Sequence, residues 1–270
     1  MDIMIVGGSG FLGRELVRQA GAAGHDVTAT FATAAPAGGR WRRLDLRDGD
    51  AVERAVREAR PDVVVNAAYR KADWRTTADG AIRLAMAATG HGARLVHVSS
   101  DAVFSGADIR YDESAPPDPV TPYGAAKAAA ETAIRFLAPD AVIARTSLII
   151  GDGGSVHEAF VHDLAAGRRE GVLFTDVVRC PVHVADLAGG LLELAASDRA
   201  GVHHLAGPDA VSRYELGVLI AARDGLDPAL LPAARTDIPG PRDVRLDSTR
   251  TQHTLRTTLR GARDFLRPRV

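Results

Sequence analysis

The first thirteen residues restrict the fold more than any other stretch. An apolar run, Ile3-Met4-Ile5-Val6, leads without a linker into Gly7-Gly8-Ser9-Gly10-Phe11-Leu12-Gly13, where a helical pattern begins. A strand, a glycine turn and a helix in that order form a phosphate-binding unit. Gly7, Gly10 and Gly13 allow a tight turn, close approach of a pyrophosphate and close helix-on-strand packing. The helix start supplies N–H donors and the positive end of its dipole. Ser9, Phe11 and Leu12 lie in the same turn and join the glycines as cofactor-binding candidates.

The rest of the first half repeats that alternation. Strands are expected near Ile3 to Val6, Asp26 to Thr30, Val63 to Asn66, Arg94 to Ser99 and Val142 to Thr146. Helices are expected near Phe11 to Ala22, Asp48 to Arg60, Thr77 to Thr89 and Pro122 to Leu137. Val63-Val64-Val65 and Leu95-Val96-His97-Val98 are apolar without alternation, as strands covered on both faces are. The pattern predicts an α/β fold with a Rossmann-type, doubly wound parallel sheet and helices on both faces. After Gly151 the rhythm changes. Helices are expected near Val156 to Ala166, from Val184, and near Ser212 to Ala222, where Ser212 reads as an N-cap with Glu215 completing a capping box. A strand is expected over Val202 to Leu205, and Asp227 to Pro241 is a proline-dense loop. We therefore expect a dinucleotide domain over 1–150, with returning segments near 177–205, and a small interleaved substrate domain over 151–270.

Composition excludes several classes. The 270 residues are 46% hydrophobic and 25% charged, with 33 basic against 34 acidic side chains, so no basic footprint for nucleic acid or anionic membrane exists. No apolar run approaches a membrane span, and the N-terminus has no signal-peptide pattern, so a cytoplasmic protein is expected. Cys180 is the single cysteine, which rules out an intrachain disulfide. No His-Glu-x-x-His occurs among the nine histidines, and His203 and His204 would face opposite sides of a strand, so no metal site is expected. His97 and Cys180 read as packed residues. Gly-x-Ser-x-Gly is absent as a nucleophile elbow, because Gly8-Ser9-Gly10 belongs to the phosphate turn.

The second strand ends in Thr30 and Phe31, where a carboxylate would accept from an adenosine ribose 2′-hydroxyl and repel a 2′-phosphate. With no acid there, and with Arg40, Arg42 and Arg43 downstream, NADP(H) is favoured over NAD(H). Asp45, followed by Leu46, is placed either to bond the adenine edge or to lead the next helix.

Tyr123 and Lys127 stand four apart in Thr121-Pro122-Tyr123-Gly124-Ala125-Ala126-Lys127. On a helix they share a face, so the ammonium is expected to sit beneath the phenol and lower a pKa that is ordinarily about 10. The fourth strand ends in Ser99-Ser100-Asp101 at the carboxyl edge of the sheet, where open parallel sheets bind ligands. Ser100 is the candidate hydroxyl for a substrate carbonyl, with Ser99 its neighbour. Hydride transfer from a nicotinamide with Tyr123 as proton donor follows from this set.

Taken in order, these motifs resemble the extended short-chain dehydrogenase/reductase superfamily, and within it the dTDP-4-dehydrorhamnose reductase family, over nearly the whole chain. Val64-Val65-Asn66-Ala67-Ala68-Tyr69 is similar to the family's segment lining the nicotinamide site, which makes Asn66, Ala67, Ala68, Tyr69 and Ser99 cofactor candidates beside Tyr123 and Lys127. Ser99-Ser100-Asp101-Ala102-Val103-Phe104 resembles the Ser-Thr-Asp-Tyr-Val-Phe motif, with Ser100 at the catalytic hydroxyl. Tyr111-Asp112-Glu113 with Pro119 and Pro122, Arg145-Thr146-Ser147, Asp176 with Pro181, Gly201 to Gly207, Ser212 to Glu215 and Pro241 to Asp247 are similar to its later signatures. The resemblance implies a nucleotide-linked sugar as substrate, with Asp101, Val103, Phe104 and Leu148 near it. Leu148 and Ala102 stand where the family has aromatic residues, which removes sugar-stacking surface. Arg179 and Arg242 are expected on loops, either binding a pyrophosphate or solvated. The superfamily's frequent homodimer is the oligomer the resemblance implies. The other reading is a cofactor-loaded regulatory subunit, because the regulatory beta subunit of methionine adenosyltransferase resembles the same family.

Overall fold

A computed structural model describes residues 1–268. In chain order its elements are β1 (Asp2–Val6), α1 (Phe11–Ala22), β2 (Asp26–Phe31), β3 (Arg40–Arg43), α2 (Gly49–Ala59), β4 (Val63–Asn66), α3 (Gly80–Gly90), β5 (Arg94–Ser100), β6 (Arg110–Tyr111), α4 (Pro122–Leu137), β7 (Val142–Thr146) and β8 (Ile149–Ile150). The second half adds α5 (Val156–Ala165), β9 (Leu173–Phe174), β10 (Val178–Arg179), β11 (Val182–His183), α6 (Val184–Ala195), β12 (Gly201–Leu205), β13 (Val211–Ser212), α7 (Arg213–Asp224), β14 (Ala233–Ala234), β15 (Arg245–Leu246), α8 (Thr249–Gln252) and α9 (Ala262–Phe265).

Seven parallel strands form the main sheet in the order β12-β7-β5-β4-β1-β2-β3. Strand order reverses between β1 and β4, so the glycine turn after β1 opens at the switch point where such sheets bind ligands. β4 is buried at every residue, as its unbroken valine run requires. One face is covered by α1 and α6 over a core that includes Ile3, Ile5, Leu16, Leu187 and Leu191. The other carries α2, α3 and α4 over Met4, Val64, Leu84, Leu95 and Ile134. A separate apolar core joins α5 and α7 through Val161, Leu164, Leu173, Leu216 and Ile220. No helix among the described residues is long and apolar enough to cross a membrane.

Three of the differences from the sequence reading are these. β3, Arg-Trp-Arg-Arg, is a half-exposed edge strand with no apolar run to announce it. The third helix opens with a π-helical turn over Arg75–Asp79 and becomes regular only at Gly80, where a Cβ would lie 2.6 Å from the Cβ of Leu46. The capping box expected at Ser212 is half made. Ser212 accepts from the Glu215 N–H, while the Glu215 carboxylate pairs with Arg263 instead of reaching back. The full box sits at α5, where Ser155 and Glu158 satisfy each other's N–H groups.

Candidate active site

The phosphate turn is built for close approach. Gly7 has φ +80, and a Cβ there would meet the Ala68 backbone at 2.8 Å, while one on Gly13 would sit 2.1 Å from the Gly7 carbonyl. No side chain caps α1 and its first turn holds no acid, so its leading N–H groups remain available to an anion. The Gly7 N–H donates to Thr30 Oγ, which fastens the turn to the end of β2. A cleft of about 200 Å³ is lined by Gly7, Ser9, Gly10, Thr30, Asp45, Leu46, Ala67, Ala68 and Tyr69, all named from the sequence. Arg70 and Thr76 are also among its lining residues and were not anticipated. Leu12 faces the core and Phe11 packs on Gly151 and Gly154, so in this turn their backbone, not their side chains, adjoins the cleft. Asn66 is buried under the cleft floor, accepting from the Ala68 N–H and donating to His97 Nδ1 at 3.1 Å.

Charges around the adenosine end differ from a simple reading. Arg40 pairs with Asp26 and Arg42 with Glu58, leaving Arg43 as the arginine of β3 with no ion-pair partner among the described residues. Asp45 does not lead a helix, since Asp48 caps α2. Its carboxylate is held by Arg47, and hydrogen bonds from that guanidinium bring its pKa down to about 2.

Thr121 caps α4 by accepting from the Gly124 N–H, and Pro122 occupies the first turn without losing a bond. Tyr123 therefore leaves the helix start and Lys127 lies one turn on. Their relation is not the one expected. Lys127 Nζ is buried, donates to the Val98 carbonyl at 2.7 Å and lies 5.7 Å over the Tyr69 ring. Burial pulls its pKa down to about 8, against the pull of Glu131. The Tyr123 ring stands 5.8 Å from that of Tyr69, and burial, with Tyr69 adding to it, raises the phenol well above its ordinary value despite the Ser100 hydroxyl. The expected acidification is thus reversed, because desolvation of the phenolate dominates and Lys127, turned to the Val98 carbonyl and the Tyr69 ring, is not among the groups that act on it. A phenol held protonated at neutral pH is in the form that donates.

Ser100 ends β5 and caps a single 3-10 turn, accepting from the Ala102 N–H and donating to Asp101. Alternation along β5 sends Ser99 the other way, beneath the sheet, where its hydroxyl donates to Glu131 at 2.5 Å. The site thus has one strand-end hydroxyl, that of Ser100, and Ser99 offers no side chain to a cofactor. Asp101 is nearly buried, accepts from Ser147 Oγ at 2.7 Å and lies 3.6 Å from Arg179 Nε.

Several substrate-side candidates lie elsewhere. Val103 and Phe104 are fully buried, Phe104 stacked on Tyr111 at 4.0 Å, because the 3-10 turn drives the chain inward. Leu148 belongs to the α5–α7 core. Arg179 is on β10, not on a loop, and donates to the carbonyls of Val178, Pro241 and Arg242 as a strut. Arg242 pairs with Asp176 and faces a second cavity of about 400 Å³. Phe160, Leu173, Phe174, Leu216 and Ile238 give this cavity apolar walls, and His157 and Arg213 give it polar ones. Arg213 is mostly buried with no carboxylate in ion-pair reach among the described residues. Its guanidinium donates to His157 Nδ1 at 3.3 Å. Burial, then repulsion from Arg179, lowers its pKa to about 10, and burial takes His157 to about 3. The role of Arg213 escaped the sequence because it depends on where α5 puts His157.

Comparison with known proteins identifies the family. The family model "RmlD substrate binding domain" matches residues 1–267. A dTDP-4-dehydrorhamnose reductase of Mycolicibacterium smegmatis is 32% identical over 99% of this chain and 84% of its own length. One of Mycobacterium tuberculosis is 34% identical over 88% of this chain and 81% of its own. The crystal structure of a hypothetical dTDP-4-dehydrorhamnose reductase from Sulfolobus tokodaii superposes with TM-score 0.84 at 28% identity, covering 96% of this chain and 97% of that one. The chain belongs to the RmlD substrate binding domain family, within the extended short-chain dehydrogenase/reductase superfamily of NAD(P)-dependent oxidoreductases.

Proposed function

We propose that this protein reduces a keto group on a nucleotide-linked sugar, as its relatives' name describes for dTDP-4-dehydrorhamnose, and that it prefers NADPH. One observation carries the substrate reading: a half-buried guanidinium without a carboxylate in ion-pair reach among the described residues, Arg213, faces an apolar cavity of about 400 Å³ and feels the charge of Asp101, the residue after Ser100. A half-buried cation without an ion-pair partner is costly, and a diphosphate is an anion that would compensate it bidentately. The apolar walls suit a nucleoside base, and on this reading the sugar extends toward Ser100 and Tyr123.

The residues present fit a dinucleotide. Gly7 and Gly13 leave room that any Cβ would fill, and the uncapped start of α1 presents donors to a pyrophosphate. When bound, the nicotinamide supplies the hydride. Ser100 Oγ hydrogen-bonds the substrate carbonyl oxygen and polarises it. Tyr123 gives its proton to that oxygen as negative charge develops there. Lys127, charged and buried beneath, stabilises the phenolate left behind and orients the ribose.

Substitution of Arg213 by Met is expected to weaken binding of dTDP and of the sugar nucleotide by about 10- to 100-fold, the range for one charge-assisted contact. NADPH affinity stays unchanged; calorimetry showing equal dTDP affinity in both proteins rejects the substrate reading. The cofactor preference is carried by Arg43, which shares a strand face with Trp41, itself packed on Gly8. In the Arg43→Ala variant the dissociation constant for NADPH is expected to rise about tenfold or more with NADH unaffected. A wild-type protein that binds NADH more tightly than NADPH removes the preference.

A further inference from the structure

The helix that carries Tyr123 and Lys127 holds a further ionisable residue on the same face. Glu131 lies one turn beyond Lys127 and is as thoroughly buried, at 1% exposure. Its carboxylate accepts from Ser99 Oγ at 2.5 Å and from Arg145 Nε and Nη2 at 3.1 and 2.8 Å. Ser99 immediately precedes Ser100, and Arg145 lies two residues before Ser147, which holds Asp101. Three elements, β5, β7 and α4, are thus fastened through one carboxylate under the reacting groups. The charge balance there is uneven. Lys127 and Arg145 are two buried cations with Glu131 as the one carboxylate between them. The other groups facing Lys127 are neutral: His97 from β5, Tyr69 beyond β4 and Tyr123 on α4 itself. His97 is kept uncharged by burial and by Lys127, and its Nδ1 is occupied by Asn66.

We propose that Glu131 is a positioning residue of the reductive site: its buried carboxylate keeps Lys127 protonated and locks Ser99, and so holds Ser100, Tyr123 and Lys127 in working register. This rests on the reductase reading above for its consequence in catalysis, but not for its electrostatics. Removing an opposite charge from the adjacent helical turn moves a pKa by about one to three units. With that support gone, burial alone acts on the ammonium, and neutral Lys127 becomes the dominant form at lower pH.

The chain contains two lysines, Lys71 and Lys127, so carbon-13 labelling of lysine side chains gives two resonances, assigned with a Lys71→Arg variant. Titration by NMR without cofactor or substrate is expected to show Lys127 with a midpoint near 8 in the wild type and at least about one pH unit lower in Glu131→Gln. The alkaline limb of the kcat/KM profile should move to lower pH by the same amount. An unmoved Lys127 midpoint overturns the proposal, as does a loss of activity that is uniform across pH. Should Glu131→Gln leave Arg145 unpaired and fail to fold, the Glu131→Gln/Arg145→Met double variant removes both charges. Burial and Glu131 are the influences acting on Lys127, and Arg145 is not among them, so the midpoint should again fall below that of the wild type. A midpoint at or above the wild-type value in that variant overturns it. Because the titration needs no turnover, failure here is distinct from failure of the reductase reading.

Discussion

Replacing Tyr123 with Phe should lower turnover by about a hundredfold to ten-thousandfold, the range for losing one general acid, while leaving NADPH affinity within about twofold. Phe keeps the ring contact with Tyr69 and adds no volume, so α4 and the cleft should stand as they are. The variant lacks the proton that must reach the carbonyl oxygen as hydride arrives. Ser100 can turn its hydroxyl from Asp101 to polarise that oxygen, but an aliphatic hydroxyl is too weak an acid to give up the proton itself. Stopped-flow kinetics read the outcome, and a Tyr123→Phe enzyme with near wild-type turnover would show that the proton comes from elsewhere.

Gly124→Ala should have an effect nearly as large through distance alone. A Cβ at Gly124 would lie 2.0 Å from the Ala102 carbonyl oxygen, in the turn that follows Ser100. Ordinary contact requires more than an ångström of retreat, and the obstacle is backbone, so either α4 or the Ser100 turn must move. A misplacement of that size between Tyr123 and Ser100 costs on the order of a hundredfold in rate. The expected result is a folded protein with NADPH binding retained, kcat reduced about a hundredfold and KM little altered. Wild-type kcat in Gly124→Ala would mean that the spacing between the hydroxyl and the phenol is not what limits reaction.

Most of the central sheet was legible because buried parallel strands write themselves as apolar runs, and because Gly7, Gly10 and Gly13 fix the switch point. The edge strand Arg40–Arg43 was not, since half-exposed charged residues carry no periodic signal. At the site, the residue types of Ser100, Tyr123 and Lys127 were readable, yet the electrostatics were not. The spacing of Tyr123 and Lys127 suggested an acidified phenol; burial, a property of the folded surroundings, reverses it. Ser99 and Ser100 are equivalent as letters, and only the facing of β5 assigns one to Glu131 and the other to Asp101. Arg213 gains meaning from His157, which is 56 residues away in the chain. Val103 and Phe104 look accessible as part of a motif and are core residues once the 3-10 turn is seen.

The central claim is hydride delivery to a sugar carbonyl above Tyr123, and isotope transfer tests it most directly. NADPH deuterated at the nicotinamide C4 position that delivers hydride is mixed with the protein and dTDP-4-dehydrorhamnose, and the sugar nucleotide is weighed by mass spectrometry. The account predicts a product carrying one deuterium on the new carbinol carbon, formed in the wild type and reduced by the Tyr123→Phe factor in that variant. Tight NADPH binding with no reduced sugar, from this or other keto-sugar nucleotides, would contradict it and leave a cofactor-loaded regulatory subunit as the reading.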